Sequence, residues 1–395
     1  MIALFAPGQG SQTPGMLAPW LELPGVTEQL GEFGEAAGLD LLRLGTTADA
    51  DEIKDTAVTQ PLLVALGLVV STRLGLEVDT DRVVAGHSVG ELTAAAVSGA
   101  LTPVEAVALA ARRGAEMAAA CALAPTGMSA LLGGDTEAVV AGIEALGLTA
   151  ANRNATGQIV AAGSMEALAA LAADPPGGAR VRALPVAGAF HTRYMAPAEA
   201  ALAEWSATLR PADPRPILLS NADGSAVVTG PDLVARLVRQ VTLPVRWDLC
   251  LRTCADLGVT AAIELAPAGT LTAIAKRELP GIELLAIKSP ADLETARVMI
   301  TSRAQHGQGE HTPEFRIVVT PAKGVFTRAD GVDEGSAVAR GTRLGTIATN
   351  RDDHEIVAPQ AGVLAEWLRS DGDIVAAGLP LVRLHDGAHH DGGDY

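Results

Sequence analysis

Short apolar runs alternate with longer helical stretches over the first three quarters of the chain. Ile2–Ala6, Val83–Gly86, Pro216–Asn221, Ala261–Leu265 and Glu283–Ile287 read as strands, the first as a buried strand and the second as an apolar one. Between them, residues 15 to 75 are helical in pieces. A long apolar helix opens at Thr59-Gln60-Pro61, with Pro61 suited to a first turn and Gln60 just outside it. Further helices are predicted from Ser88 to about Ser98-Gly99, from about Pro103, and from Val234 to Val241. From Met128 to Val186 strands and helices alternate over a short span, which predicts a compact β-α-β-β-α-β insert of the ferredoxin type. The pattern is that of an α/β sheet carrying a smaller inserted subdomain.

Periodicity breaks at residues 302 to 314, a polar stretch read as a linker. Beyond it the chain turns all-β and repeats itself. Pro321-Ala322-Lys323-Gly324-Val325 recurs as Pro359-Gln360-Ala361-Gly362-Val363, and Val338, Gly341 and Leu344 recur as Val375, Gly378 and Leu381. Two similar halves of short strands predict a pseudo-two-fold sandwich over residues 315 to 385, each half covering the other's apolar face. The polar, glycine-rich residues 386 to 395 are expected to be disordered.

Composition narrows the function classes. The 395 residues are 48% hydrophobic but only 3% aromatic, and a net charge of −17 argues against nucleic acid or an anionic membrane as partner. No uninterrupted apolar run approaches the ~20 residues of a membrane span. The N-terminal Met1–Pro7 lacks a charged leader, so a cytoplasmic location is expected. Three cysteines, Cys121, Cys250 and Cys254, are too few for a disulfide framework, and without neighbouring histidines they predict core packing, with no metal.

The chemistry is expected at Val83-Val84-Ala85-Gly86-His87-Ser88-Val89-Gly90-Glu91, where a strand runs into G-x-S-x-G and then a helix. Such an elbow holds a serine hydroxyl clear of the backbone and aims helix N-terminal amides at it. Taken alone, the other motifs are open: Pro7–Gln12 is a glycine-containing turn, Arg112-Arg113 a solvated pair, and His191 a structural histidine at a strand end.

Taken together they are not. Pro-Gly-Gln-Gly-Ser-Gln at 7 to 12, Gly-His-Ser-Val-Gly-Glu at 86 to 91, Arg-Arg-Gly at 112 to 114, Asn-Arg-Asn-Ala-Thr-Gly-Gln at 152 to 158, Gly-Ala-Phe-His-Thr at 188 to 192 and Arg-Gln-Val-Thr-Leu-Pro-Val-Arg-Trp at 239 to 247 occur in this order. Over about residues 1 to 290 the chain resembles the malonyl-CoA:acyl carrier protein transacylases. That resemblance implies an α/β-hydrolase-like core (1–126 and 191–292) with a ferredoxin-like insert (127–190). It implies that Ser88 takes an acyl group from coenzyme A and passes it to a carrier-protein thiol, with no bound cofactor. It also implies His191 as base and acid, Gln240 supplying the carbonyl that orients it, and backbone amides of Gln9 and Val89 as the oxyanion hole. Arg113 would bind the malonyl carboxylate, Phe190 would favour malonyl over branched acyl groups, and Gln60 and Asn154 would line the pocket. Lys276 and Arg277, at a helix end, are expected to contribute to a carrier-protein docking patch. Ala6 and Ala266-Pro267-Ala268-Gly269 depart from the family's usual residues without touching a catalytic side chain.

Residues 315 to 385 resemble biotinyl and lipoyl domains, through the repeat and through His354–Pro359. Arg351 stands where those domains carry the modifiable lysine, so neither biotin nor lipoate is expected. Two other readings are carried: an acyl hydrolase of the same fold that clears carrier proteins, and a tethering component whose C-terminal domain binds a synthase or carboxylase.

Overall fold

The computed structural model describes residues 1–76, 82–309, 315–349 and 352–385. The chain divides into two compact units, the second beginning at Ile300. The first carries strands β1 (Ile2–Ala6), β2 (Arg82–Gly86), β3 (Thr126–Leu132), β4 (Thr149–Ala155), β5 (Gln158–Ser164), β6 (Arg180–Ala183), β7 (Ile217–Leu219), β8 (Ala261–Glu264) and β9 (Glu283–Ala286).

Five of these form a parallel sheet in the order β7-β2-β1-β8-β9. Every residue of β1, β2 and β8 is buried, Arg82 and Glu264 included, which is why their apolar residues are consecutive rather than alternating. In a parallel sheet all strands deliver their following loops to one edge. Ala6 lies opposite Gly86 and Ala85 opposite Leu219, so the loops after β1, β2 and β7 emerge side by side.

The antiparallel sheet β4-β5-β3-β6 is the inserted subdomain, with helices Thr136–Ala145 and Met165–Ala173 completing the expected β-α-β-β-α-β order. Its strand β4 gives a weak apolar signal because Asn152-Arg153-Asn154 occupies its centre. It also bridges to the large sheet's unit, where Arg153 N donates to Val245 O at 2.9 Å and Val245 N to Ala151 O at 2.9 Å.

The helix Thr56–Leu74 is long and apolar enough to cross a membrane by length and composition. Most of it is buried against the helix Pro103–Cys121 and its neighbours, so it is a core helix. Its start differs from expectation. Asp55 caps it, accepting from Ala57 N at 2.9 Å, so Pro61 falls inside the helix rather than in its first turn, and Gln60 is a buried helical residue. The helix near residue 234 likewise begins earlier, spanning Gly230–Arg239 with Thr229 as its cap. Residues 302–309, expected to be linker, continue the helix Leu293–Gly309. Polarity alone does not end a helix, and these residues contain no proline. Cys250 and Cys254 are fully buried in the helix Trp247–Asp256, in line with core packing.

The second unit carries β10 (Phe315–Val319), β11 (Gly324–Arg328), β12 (Ala337–Val338), β13 (Arg343–Ala348), β14 (Asp353–Val357), β15 (Gly362–Trp367), β16 (Ile374–Val375) and β17 (Pro380–His385). They form two antiparallel sheets, β10-β17-β15-β12 and β14-β13-β11-β16. Exchanging the first four strands for the last four in order converts one sheet into the other. The repeat seen in the sequence is therefore a repeat of the fold, and each sheet draws strands from both halves. Phe326, Leu344, Ile347, Leu364, Leu381 and Leu384 fill the core between them. Arg351 and residues 386–395 lie outside the described residues.

Candidate active site

Ser88 sits in the turn between β2 and the helix Gly90–Val97 with φ 53°. A non-glycine residue adopts this left-handed conformation at a cost, and only where the surroundings enforce it. Here the enforcement is visible on both sides. A Cβ on Gly86 would lie 2.0 Å from Gly90 O, and one on Gly90 would lie 2.2 Å from Ala6 O. The elbow therefore closes only over glycine. Gly90→Ala is expected to destabilise the protein by about 1–3 kcal/mol through overpacking. Denaturant unfolding of the variant beside the wild type measures this, and equal midpoints would refute the close-packing account.

His191 is the other non-glycine residue with positive φ among the described residues, at 61°. Sequence pattern placed it at a strand end, but Gly188–Thr192 is a turn before the helix Ala196–Ser206. That turn brings His191 Nε2 to 2.8 Å from Ser88 Oγ. Its Nδ1 lies 2.7 Å from the main-chain carbonyl of Gln240. A carbonyl only accepts, so Nδ1 carries the proton and Nε2 is left as the acceptor for the serine hydroxyl. Gln240 is the C-cap of the helix Gly230–Arg239, one of the last residues whose carbonyls lack a partner within the helix. Burial, with the positive charge of Arg113 nearby, pushes the His191 imidazole down to about 3, so it is neutral and basic in form across the physiological range.

Arg112 and Arg113 divide in a way that a surface reading of the pair does not anticipate. Arg112 pairs with Glu116 at 2.8 Å on the exposed face, whereas Arg113 is 2% exposed. A Cβ on Gly114 would meet Thr56 O at 2.6 Å, so the two helices cross closely there and Arg113 meets Gln60. Its Nη1 donates to Gln60 Oε1 at 2.7 Å, and its Nη2 donates to Gln240 Oε1 at 2.7 Å and reaches Ser88 Oγ at 3.4 Å. Burial, partly offset by Glu91, lowers its pKa to about 10, so the guanidinium stays charged. Both strong acceptors are neutral amides, and no carboxylate forms an ion pair with it among the described residues.

These groups face a cavity of about 280 Å³ between the two subdomains of the first unit. Gln9, Gln60, Asn154, Phe190 and Ile274 line it. Asn154 does not point freely into it, since its Oδ1 is 2.7 Å from His87 Nε2. Phe190 is largely buried beside His191. The backbone N–H groups of Gln9 and Val89 donate to no protein acceptor among the described residues. Lys276 and Arg277 are exposed on the last turn of the helix Thr270–Glu278, whose Thr270, Leu271 and Ile274 line the cavity, and Arg277 Nη2 donates to Oε1 of the lining residue Gln158 at 2.5 Å.

Two residues to which the sequence assigned no role complete the network. Asn221, just after β7, accepts from Ser88 N at 2.8 Å and donates to Gly86 O at 2.7 Å, splinting the elbow. Glu91 is buried beneath it and accepts from Asn221 N at 3.1 Å and from Gln240 Nε2. A polar residue ending a strand beside the nucleophile strand was the available signal for Asn221.

With the geometry in place, comparison with known proteins agrees with it. The acyl transferase domain family matches residues 4–318. The malonyl CoA-acyl carrier protein transacylase of Mycobacterium tuberculosis is 57% identical over 297 residues, covering 74% of this chain and 98% of that protein. A crystal structure of MCAT from the same organism superposes with a TM-score of 0.74, covering 75% of this chain and 99% of that one. A malonyl-transacylase solved in complex with a type II polyketide acyl-carrier protein superposes with a TM-score of 0.70 at 28% identity, covering 75% of this chain and 98% of that one. The chain belongs to the acyl transferase domain family, among the malonyl CoA-acyl carrier protein transacylases.

Proposed function

We propose that this chain transfers a malonyl group from malonyl-CoA, through an ester on Ser88, to the phosphopantetheine thiol of an acyl carrier protein, in fatty acid or polyketide synthesis. The observation that carries the reading is the Arg113 guanidinium, buried beside Ser88 with amide oxygens as its strong acceptors. A buried cation with no carboxylate in contact is costly, and the free carboxylate of malonyl supplies one with the two oxygens its fork can hold.

In the first half-reaction Ser88 Oγ attacks the thioester carbonyl while His191 Nε2 takes its proton. The amides of Gln9 and Val89 receive the oxyanion, each such donor contributing roughly 3 kcal/mol. Collapse breaks the C–S bond, and His191 returns the proton to the departing coenzyme A thiolate. The second half-reaction repeats these steps with the carrier thiol as nucleophile and Ser88 as leaving group. Gln240 O holds the imidazole that a carboxylate would hold in a serine triad. Phe190 crowds the acyl α-carbon, while Gln60 shapes the pocket by holding Arg113, and Asn154 by holding His87. No resident cofactor or metal enters any step. The exposed cations Lys276 and Arg277, on a helix that lines the cavity, suit an acidic carrier protein. A cytoplasmic location belongs to the same reading.

The large subdomain is read as α/β-hydrolase-like, the insert as ferredoxin-like and the second unit as biotinyl/lipoyl-like. The pseudo-two-fold exchange of its strands supports the last assignment. Arg351 cannot form the prosthetic amide, so that unit is read as unmodified, with a tethering role toward a synthase or carboxylase. One mass measurement tests the whole reading. The intact chain is expected to show no biotin or lipoyl adduct, to gain a malonyl ester from a mixture of acyl-CoAs, and to lose it to added carrier protein. Free malonate with an unloaded carrier would instead mark a hydrolase.

A further inference from the structure

Glu91 has no role in the chemistry above, yet it is among the most buried charged side chains of the first unit, 1% exposed in the first turn of the helix Gly90–Val97. Its two oxygens are divided between partners. Oε1 accepts from Asn221 N at 3.1 Å, and Oε2 accepts from Gln240 Nε2. The Gln240 amide has one end that only donates and one that only accepts, so its two orientations are not equivalent. An ionised Glu91 tolerates only the NH₂ end, which also reaches Ser88 O and Asn221 Oδ1, each at the longer distance of 3.2 Å. The other end, Oε1, is thereby turned toward Arg113 Nη2 at 2.7 Å. Flipping the amide would set its oxygen against a carboxylate and its NH₂ against a guanidinium, unfavourable at both ends.

We propose that Glu91 is a positioning residue that steadies the substrate-carboxylate clamp by supplying the charged acceptor that holds the Gln240 amide in this orientation. This rests on the reading of Arg113 as that clamp. Glu91 touches neither substrate nor reacting atoms. Its influence on His191 is indirect, because the imidazole is held by the Gln240 main-chain carbonyl, which does not turn with the amide.

The charged and titratable groups facing Glu91 are Arg236, Arg113 and Cys250. Arg236 is held by Asp223 at 3.0 Å and Asp232 at 2.7 Å and remains a cation, and burial keeps the Cys250 thiol neutral. Burial raises the Glu91 carboxyl to about 7, offset only in part by its hydrogen bonds to Asn221, Ser220 and Gln240. Below neutral pH it therefore gains a proton and with it the ability to donate. The selection between the two amide orientations is then weakened, resting on Arg113 Nη2, Ser88 O and Asn221 Oδ1 without the carboxylate.

Two measurements on the full-length protein test this. Glu91→Gln keeps the volume but, like the protonated acid, can accept the flipped amide. Its kcat/KM for malonyl-CoA is expected to fall roughly 10- to 100-fold, mainly through KM, the scale of loss for a small misplacement at a reacting site. Slow transfer from acetyl-CoA, which has no carboxylate to clamp, is expected to change by less than about threefold, since no clamped group is misplaced there. Equal losses for both substrates would make Glu91 a merely structural residue, and unchanged malonyl kinetics would remove it altogether. The second measurement needs no variant. Wild-type kcat/KM for malonyl-CoA is expected to decline from pH 8 to pH 6 while that for acetyl-CoA stays level, and a level malonyl profile overturns the proposal. If the wild type shows no preference for malonyl over acetyl at any pH, the clamp reading itself has failed. If the preference stands while both measurements above fail, only the role of Glu91 has.

Discussion

Ser88→Ala is expected to reduce malonyl transfer by roughly 10⁶-fold, the scale on which an enzyme built around an activated serine loses its rate. Two features of the site make the loss this complete. The reaction runs through an ester on Ser88, so without the hydroxyl there is no first half-reaction, and the imidazole has only an entering thiol or water to activate. The neighbouring hydroxyl Ser11 donates to Gly8 O at 2.7 Å rather than to His191, so the loop opposite offers no substitute nucleophile. The fold itself is expected to persist, because the elbow is held by the Asn221 contacts to Ser88 N and Gly86 O, neither of which uses the serine side chain. The check is single-turnover transfer together with the intact mass after exposure to malonyl-CoA. A malonyl adduct surviving on the variant would move the nucleophile elsewhere.

Arg113→Ala is expected to lower kcat/KM for malonyl-CoA by roughly 10²–10⁴-fold, corresponding to the 3–5 kcal/mol typical of removing one partner from a buried charge pair. The substrate carboxylate would then lose its counter-ion, while the Gln60 and Gln240 amide oxygens that Arg113 now occupies would be left without their donor. Transfer from acetyl-CoA should fall far less, so the ratio of the two substrates, rather than the absolute rate, is the measurement that matters. Arg113→Lys is expected to recover little of the loss, since an ammonium cannot span Gln60 and Gln240 while also presenting two parallel donors to a carboxylate. An unchanged malonyl-to-acetyl ratio in Arg113→Ala would show that selectivity lies elsewhere in the cavity.

Much of the fold was legible because burial writes itself into composition. The buried strands β1 and β2 are continuous apolar runs, and the 38-residue spacing between Gly324 and Gly362 announced a duplicated second unit. Helix starts were less legible. Asp55 and Thr229 cap earlier than the apolar pattern begins, because a cap is a local hydrogen bond and leaves no trace in periodicity. Strand β4 was obscured for a different reason. Its central Asn152 and Asn154 serve the cavity and the subdomain junction, and function there overrides strand composition.

The site shows the same division. Glycine at 86 and 90 around Ser88 is a local requirement of a tight elbow, so a single stretch of chain was enough to name the nucleophile. That His191 stands 2.8 Å from it, across 103 positions, follows from how the subdomain insert returns the chain to the sheet edge. Resemblance named Arg113, but only packing makes it a buried cation, since the crossing of two helices at Gly114 removes it from water while Arg112 stays exposed. Glu91 and Asn221 were invisible in role for the same reason. What the sequence alone determined was whatever depends on neighbours along the chain: strands, repeat and elbow. Which groups share a desolvated space, and so which carry charge, give protons or orient one another, was decided only by the tertiary structure, because desolvation and hydrogen bonding act through space.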